Sequence, residues 1–319
     1  MYQQITRNKR LTVVYILVFF VVWVGIGAGI GWIWATLTPT PARPGPGTTA
    51  PAGRDMIIGI VVAAALALAG IAFSLGTGTR LVLRISGAHP ADPGRYRQLH
   101  DLLGALALGD GLPVPAVYVI DDPSPNAFAT GTSPAHAAVT VTTGLLETMN
   151  REELEGVLAH EMSHIKNYDV RLLLIVSTLI GMAGLLAGIA WRSAFFTRSR
   201  GRNGGQIMIA ALAAGALLSL VGFVLGPVVR LALSRRRESL ADVSAVELTR
   251  NPIGLIHALQ KLQINDKPFA KFNHATAAMC IDDPLQHHRP SWIHRLYDTH
   301  PSIDARIAAL QQLTQGTEA

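Results

Sequence analysis

Apolar residues crowd into four stretches that contain no Asp, Glu, Lys or Arg: Leu11 to Ala42, Met56 to Thr79, Leu172 to Trp191 and Asn203 to Val229. Each is long enough, at a rise of about 1.5 Å per residue, to cross a hydrocarbon core of about 30 Å as a helix. The pattern therefore predicts four transmembrane helices in two pairs. Between the pairs the periodicity changes. Tyr96, Leu99, Leu102, Leu103 and Leu106 recur near helical spacing and predict a soluble helix within Asp92 to Asp110. Pro113 to Asp121, Asn126 to Thr130 and Ala137 to Thr143 are short and rich in β-branched or aromatic residues, and predict three strands of a small sheet. From Asn150 to Tyr168, Leu154, Val157, Leu158 and Ile165 form an apolar helical stripe behind Glu152 and Glu153 in the opening turn. After the second pair, Glu238 to Arg250 and Pro252 to Leu262 predict helices, Asn265 to Pro290 is irregular, and Ser302 to Leu313 predicts a short amphipathic helix. The order implies four consecutive parts: a membrane anchor (1–80), a part with strands and a helix (81–171), a transmembrane hairpin (172–229) and a helical C-terminal part (230–319).

Composition strengthens the membrane assignment. Half of the 319 residues are hydrophobic and only 15% are charged, and the mean hydropathy is +0.33, too apolar for an ordinary soluble domain. The net charge of +6 is compatible with nucleic acid, but the arginines mostly flank the apolar stretches. A lipid bilayer is the expected partner, and nucleic acid is not. Arg7, Lys9 and Arg10 precede the first stretch like the basic end of a secretory signal, yet the apolar run is too long for a signal's core, so an uncleaved anchor is expected. Thr38 to Arg54, rich in Pro, Gly, Thr and Ala, predicts a flexible external loop. The sole cysteine, Cys280, excludes an internal disulfide and a cysteine-rich metal cluster. Positive flanks at Arg7 to Arg10, Arg80 and Arg84, and Arg230 with Arg235 to Arg237 predict that the polar parts face the cytoplasm from a multi-pass position in the cell membrane. The loop carrying Arg192, Arg198, Arg200 and Arg202 runs against that rule, so the second pair either crosses regardless or dips in without crossing.

Candidate chemistry sits inside the Asn150 to Tyr168 helix. His160 to His164 spell H-E-M-S-H. Positions i and i+4 share a helix face, so His160 and His164 can direct two nitrogens at one zinc ion, with Glu161 beside its open side. A catalytic zinc needs a third protein ligand and a position for water. A third histidine six residues on, with an intervening glycine, is ruled out, because Val170 and Asn167 occupy those places. A glutamate on a later helix is the other common solution, and Glu238 and Glu247 are the downstream glutamates before the tail. Glu238 is favoured. His164 lies eight residues before the third apolar stretch and Glu238 nine after the fourth, so a hairpin that crosses and returns brings them together. Taken without the histidines, Glu238 after three arginines is better explained as a solvated helix start. Asp242, one turn further, can accept a proton from the distal nitrogen of a liganding histidine, and Asp169 and Asn167 are lesser candidates for the same support.

Three motifs together, H-E-M-S-H-I-K-N-Y-D (160–169), S-R-R-R-E-S-L-A-D (234–242) and T-H-P (299–301), closely resemble the HtpX family of membrane-bound zinc metallopeptidases, related to the eukaryotic prenyl-protein endopeptidases. The resemblance implies a mainly α membrane protein with a zincin-like (gluzincin) α+β metalloprotease domain, one zinc ion per subunit, and His160, His164 and Glu238 as its ligands with Asp242 in support. It matches Asn126, Ala127 and Phe128 to an edge-strand element beside the cleft, where an extended substrate pairs with the sheet. His300 corresponds to a polar group near the scissile carbonyl, and Arg306 to the arginine that follows it. Glu161 is then expected to act as general base on water held by the zinc. The implied substrates are misfolded or damaged membrane proteins and other unfolded polypeptides. A non-catalytic, zinc-stabilised membrane scaffold is the alternative. A site-2-type intramembrane protease is disfavoured, because Glu152, Glu153, Glu155, Lys166 and Asp169 surround the pentad.

Overall fold

The computed structural model describes residues 2–37, 51–197, 204–232, 235–264, 280–281 and 302–316. Most of them are helical. Helices α1 (Tyr2–Leu37) and α2 (Pro51–Ile85) come first, then β1 (His89–Pro90), α3 (Arg97–Asp110), β2 (Ala116–Ile120), β3 (Ala127–Gly131), β4 (Ala137–Thr142), α4 (Thr143–Thr148) and α5 (Arg151–Lys166). Helices α6 (Asp169–Thr197), α7 (Gly204–Ala232), α8 (Arg235–Thr249), α9 (Pro252–Ile264) and α10 (Ile303–Gly316) follow. The chain divides into two compact units. One comprises Met1–Thr12, Leu75–Ser177 and Pro227–Ala319, and the other Val13–Ser74 and Thr178–Gly226.

The second unit is built from the apolar parts of α1, α2, α6 and α7. Among the described residues, three helical spans are long and apolar enough to cross a membrane, namely Ile16–Leu37, Gly53–Ile85 and Asp169–Phe196, and a fourth apolar stretch, Gly205–Leu220, is shorter. Val21, Leu68 and Leu185 are 67, 59 and 66% exposed, as side chains facing lipid rather than water would be. Where α1 and α2 cross antiparallel, their backbones touch. A Cβ on Gly27 would run into the Gly59 carbonyl, and one on Gly31 into the Asp55 carbonyl, the small-residue contact that lets helices approach within a bilayer. The expected loop from Thr38 to Arg54 falls largely outside the described residues.

The first unit contains a four-stranded sheet in the order β1-β2-β4-β3. β2 and β4 run parallel, with Ala116 opposite Ala138, while β3 runs antiparallel to β4, with Phe128 opposite Thr140. The three strands predicted from β-branched runs are present. β1 adds two residues antiparallel to β2, with His89 opposite Val119. Two residues, one of them proline, carry no period-2 signal. Leu99, Leu103 and Leu106 of α3, Val139 and Val141 of β4, and Val157, Leu158 and Met162 of α5 pack into one core.

Helix α5 is fixed at both ends. Asn150 Oδ1 accepts from the Glu153 N–H at 3.0 Å, and Glu153 Oε2 accepts from the Asn150 N–H at 2.8 Å, a reciprocal capping box. Lys261 Nζ of α9 then donates to Glu153 Oε2 at 2.6 Å and to the Thr148 carbonyl at 3.0 Å. At the other end Asn167 caps the helix by donating its N–H to the Ser163 carbonyl at 3.0 Å. Tyr168 takes a left-handed φ of 61°, which separates α5 from α6 and leaves Asp169, the first residue of α6, within hydrogen-bond reach of His164. α9 packs so closely on α5 that a Cβ on Gly156 would lie 2.9 to 3.1 Å from the Leu255 N, Cα and Cβ atoms. Gly156→Leu is therefore expected to destabilise the protein by about 1–3 kcal/mol, because α9 must shift to admit the side chain. A thermal or urea unfolding midpoint of the detergent-solubilised variant equal to wild type would show that the two helices have room to spare.

Candidate metal centre

On α5, His160 and His164 turn their Nε2 atoms toward one another at 3.2 Å, with ring planes 86° apart. Glu238, in the first turn of α8, places Oε2 3.5 Å from His160 Nε2 and Oε1 3.6 Å from His164 Nε2. The three residues offer ligand atoms that all lie within 4.8 Å of one another. With zinc–nitrogen bonds of about 2.0–2.1 Å, tetrahedral ligand atoms stand about 3.3 Å apart. Two imidazole nitrogens and one carboxylate at this spacing fit a divalent metal. Glu238 is fully buried, which excludes the solvated helix start as its environment.

What aims the two imidazoles lies behind them. His160 Nδ1 donates to Asp242 Oδ1 at 2.9 Å, and His164 Nδ1 donates to Asp169 Oδ2 at 3.1 Å. Each aspartate is in turn held by an arginine. Arg306 of α10 donates from Nε to Asp242 Oδ2 at 3.0 Å and from Nη2 to Asp242 Oδ1 at 2.7 Å. Arg237 Nη1 donates to Asp169 Oδ1 at 3.3 Å. Two parallel Arg–Asp–His chains thus fix both Nδ1 atoms as donors and leave both Nε2 atoms, the positions that a proton or a metal takes, facing Glu238. Hydrogen bonds of this kind orient metal-binding histidines and raise their basicity.

The charges follow from this geometry. Burial pushes the His160 imidazole down and Arg306 pushes it further, but Asp242 and Glu238 outweigh both and raise it above 6.5. Burial also lowers His164, yet Glu238, Asp169 and Glu161 lift it to about 9. Burial alone would raise the Asp242 carboxyl, whereas Arg306 and His160 hold it down at about 2. Arg306 is lowered by burial but ends above its ordinary value, chiefly through Asp242 and then Glu238 and Glu161. The cluster is therefore rich in negative charge and, without a metal, favours the protonated form of its imidazoles. Proton and metal compete for the same Nε2 atoms.

Glu161 is buried on α5 next to His160, and its charge acts on both His164 and Arg306. Asn167 is the C-cap of α5. At the sheet edge, Asn126 Oδ1 accepts from the Ala127 N–H at 2.9 Å. The Ala127 carbonyl accepts from the Ile281 N–H at 3.0 Å, and Phe128 faces Cys280 in an isolated antiparallel bridge. His300 lies outside the described residues, as does most of the Asn265 to Pro290 stretch. The sequence marks Arg237 only as part of a charged helix start and names no partner for Arg306. It also carries no mark of Ile281 on the β3 edge. The one available signal was Arg237 standing directly before Glu238.

In metal-free protein, His164 sits at about 9 when folded and 6.5 when unfolded. Its contribution to stability is then complete below pH 6.5 and is lost as pH rises through about 9. Chelator-treated protein should show a thermal midpoint that falls across this window. Protein reloaded with a divalent metal should not, because a coordinated nitrogen takes up no proton. A flat midpoint in the chelated sample would contradict the proton-retaining site.

The sequence model of Peptidase family M48 matches residues 93–314. The Protease HtpX homolog of Ligilactobacillus salivarius (strain UCC118) is 42% identical over 248 residues, covering 75% of this chain and 81% of that protein. The Protease HtpX homolog of Caldanaerobacter subterraneus subsp. tengcongensis is 41% identical over 239 residues, covering 74% and 78%. The crystal structure of S. mikatae Ste24p aligns with a TM-score of 0.49 at 21% identity, over 81% of this chain and 59% of that chain. With the family model spanning most of the first unit and curated HtpX relatives at this identity, the chain belongs to peptidase family M48, as a membrane metalloprotease of the HtpX type.

Proposed function

We propose that the protein is a zinc endopeptidase of the cell membrane that cleaves misfolded or damaged membrane proteins, and other unfolded polypeptides, at the cytoplasmic face. The observation that carries this reading is the set of His160, His164 and Glu238 donor atoms at tetrahedral spacing, with Glu161 next to them on the same helix. Two nitrogens and one carboxylate suit zinc and leave room in a four-coordinate shell for chemistry. Zinc bound there supplies Lewis-acid polarisation of the scissile carbonyl and acidifies water.

The remaining work falls to side chains. Asp242 and Asp169 keep the His160 and His164 Nδ1 protons in place, so that each Nε2 presents its lone pair. Glu161 takes the proton of the attacking water on a carboxylate oxygen and passes it to the leaving amine, acting as base and then as acid. His300 donates to the carbonyl oxygen as negative charge develops on it. Asn126, Ala127 and Phe128 form the edge that orders the substrate backbone as an added strand. An extended backbone is what an unfolded or unravelled membrane segment presents.

Glu161→Gln should retain stoichiometric zinc and lose about 10²–10⁴-fold in cleavage of an unfolded polypeptide. Cleavage near the wild-type rate would remove Glu161 from the chemistry. Stoichiometric zinc in a wild-type protein that cleaves nothing, itself included, would favour the scaffold alternative. The cytoplasmic orientation rests on the positive flanks of the apolar segments. Leu108 of α3 is 84% exposed, so a Leu108→Cys protein should react with a membrane-impermeant maleimide only after the cells are opened. Labelling in intact cells would reverse the assignment.

A further inference from the structure

The outer edge of β3 already has an occupant. The Thr142 N–H donates to the Asn126 carbonyl at 3.0 Å, on the β4 side. By the alternation of an antiparallel ladder, Ala127 must then turn its own N–H and C=O outward. There the Ile281 N–H donates to the Ala127 carbonyl at 3.0 Å, and Cys280 lies opposite Phe128, antiparallel to β3. On its other side the Ile281 carbonyl accepts from Arg306 Nη1 at 3.4 Å, while Nη2 of the same guanidinium lies 3.3 Å from His160 Nδ1. The chain's own extended backbone is thus inserted between the sheet edge and the polar network behind a metal-site histidine. Its side chains are buried, Cys280 completely and Ile281 to 2% exposure.

We infer that Cys280–Ile281 is a resting occupant of the substrate strand's place, and that a polypeptide substrate enters by exchanging with it. This rests on the peptidase reading above. A polypeptide adding to β3 at this edge needs the Ala127 carbonyl that Ile281 uses, and neighbouring strands lie about 4.8 Å apart, so two cannot occupy the same edge. The attachment suits exchange. Its main-chain bond to Ala127 is one that any incoming extended backbone restores. The buried Ile281 side chain also indicates what the vacated place accepts, an extended segment with an aliphatic residue, which unfolded membrane proteins supply in abundance. The protease in this state holds its own edge strand closed against folded proteins, which present no free strand to displace Ile281.

Cys280 is the only cysteine, so it reports directly on release. In zinc-loaded Glu161→Gln protein, alkylation of Cys280 by N-ethylmaleimide should accelerate about tenfold or more when a saturating reduced, carboxymethylated polypeptide is added. Unchanged or slower alkylation overturns the inference. A second variant tests the same step through turnover. Phe128 and Cys280 form the close, non-hydrogen-bonded type of pair, about 4.5 Å between Cα atoms and within disulfide reach. Whatever Phe128→Cys retains of the wild-type rate when reduced, oxidation should therefore lower it to about a tenth or less of that and reductant should restore it. Equal rates in both states overturn exchange while leaving the peptidase intact. Absence of cleavage in wild type and in the reduced variant counts against the peptidase, and the alkylation result still decides whether a polypeptide displaces the strand. A variant that does not fold leaves that decision to the alkylation experiment.

Discussion

Two imidazoles held with their Nε2 atoms 3.2 Å apart and facing one buried carboxylate are the constraint on which the rest of the first unit depends. Neither ring would stay there unaided. Buried imidazole nitrogens need partners, and two lone pairs aimed at each other and at a carboxylate are costly without a cation between them. The protein meets this with Asp242 and Asp169 behind the rings and Arg306 and Arg237 behind the aspartates. Each link fixes the next, so the orientation of each Nε2 atom is set two residues behind it.

Those links tie together elements distant in sequence. α5 supplies both imidazoles, α8 supplies Glu238, Asp242 and Arg237, the first residue of α6 supplies Asp169, and α10 supplies Arg306. The capping box of α5, its lock to Lys261 and the close contact at Gly156 hold that helix as a rigid rail. The left-handed turn at Tyr168 is what allows Asp169 to reach back to His164 instead of continuing the helix away from it. A strained residue beside a functional group is a recurring cost of such placement.

The sheet plays a different part. Its core-facing residues support α5, while its outer edge at Ala127 and Phe128 presents main-chain groups that pair with Cys280 and Ile281. An exposed strand edge is also a place for unwanted pairing. Ile281 fills that position, and Arg306 touches both it and the network behind His160.

Several features follow from the sequence alone because they depend on local physics. Apolar runs long enough for a bilayer define membrane helices wherever they fold, and the i, i+4 spacing of His160 and His164 puts them on one face of any helix. Short runs rich in β-branched or aromatic residues are enough for β2, β3 and β4 but not for the two-residue β1, and Glu238 stands out because few glutamates lie downstream and a hairpin brings it back toward His164. The tertiary structure decided the rest. Asp169, one of two lesser candidates for support in the sequence, is the partner of His164, next to a left-handed φ at Tyr168. Arg306 reaches the neighbourhood of His160 across 146 residues of chain. Long flexible cations carry no mark in the sequence of which carboxylate they will meet. Ile281 holds the β3 edge by a main-chain N–H that almost every residue possesses. Side-chain chemistry and local spacing are written in the order of residues, whereas long-range pairing of groups common to most residues exists only once the chain has folded.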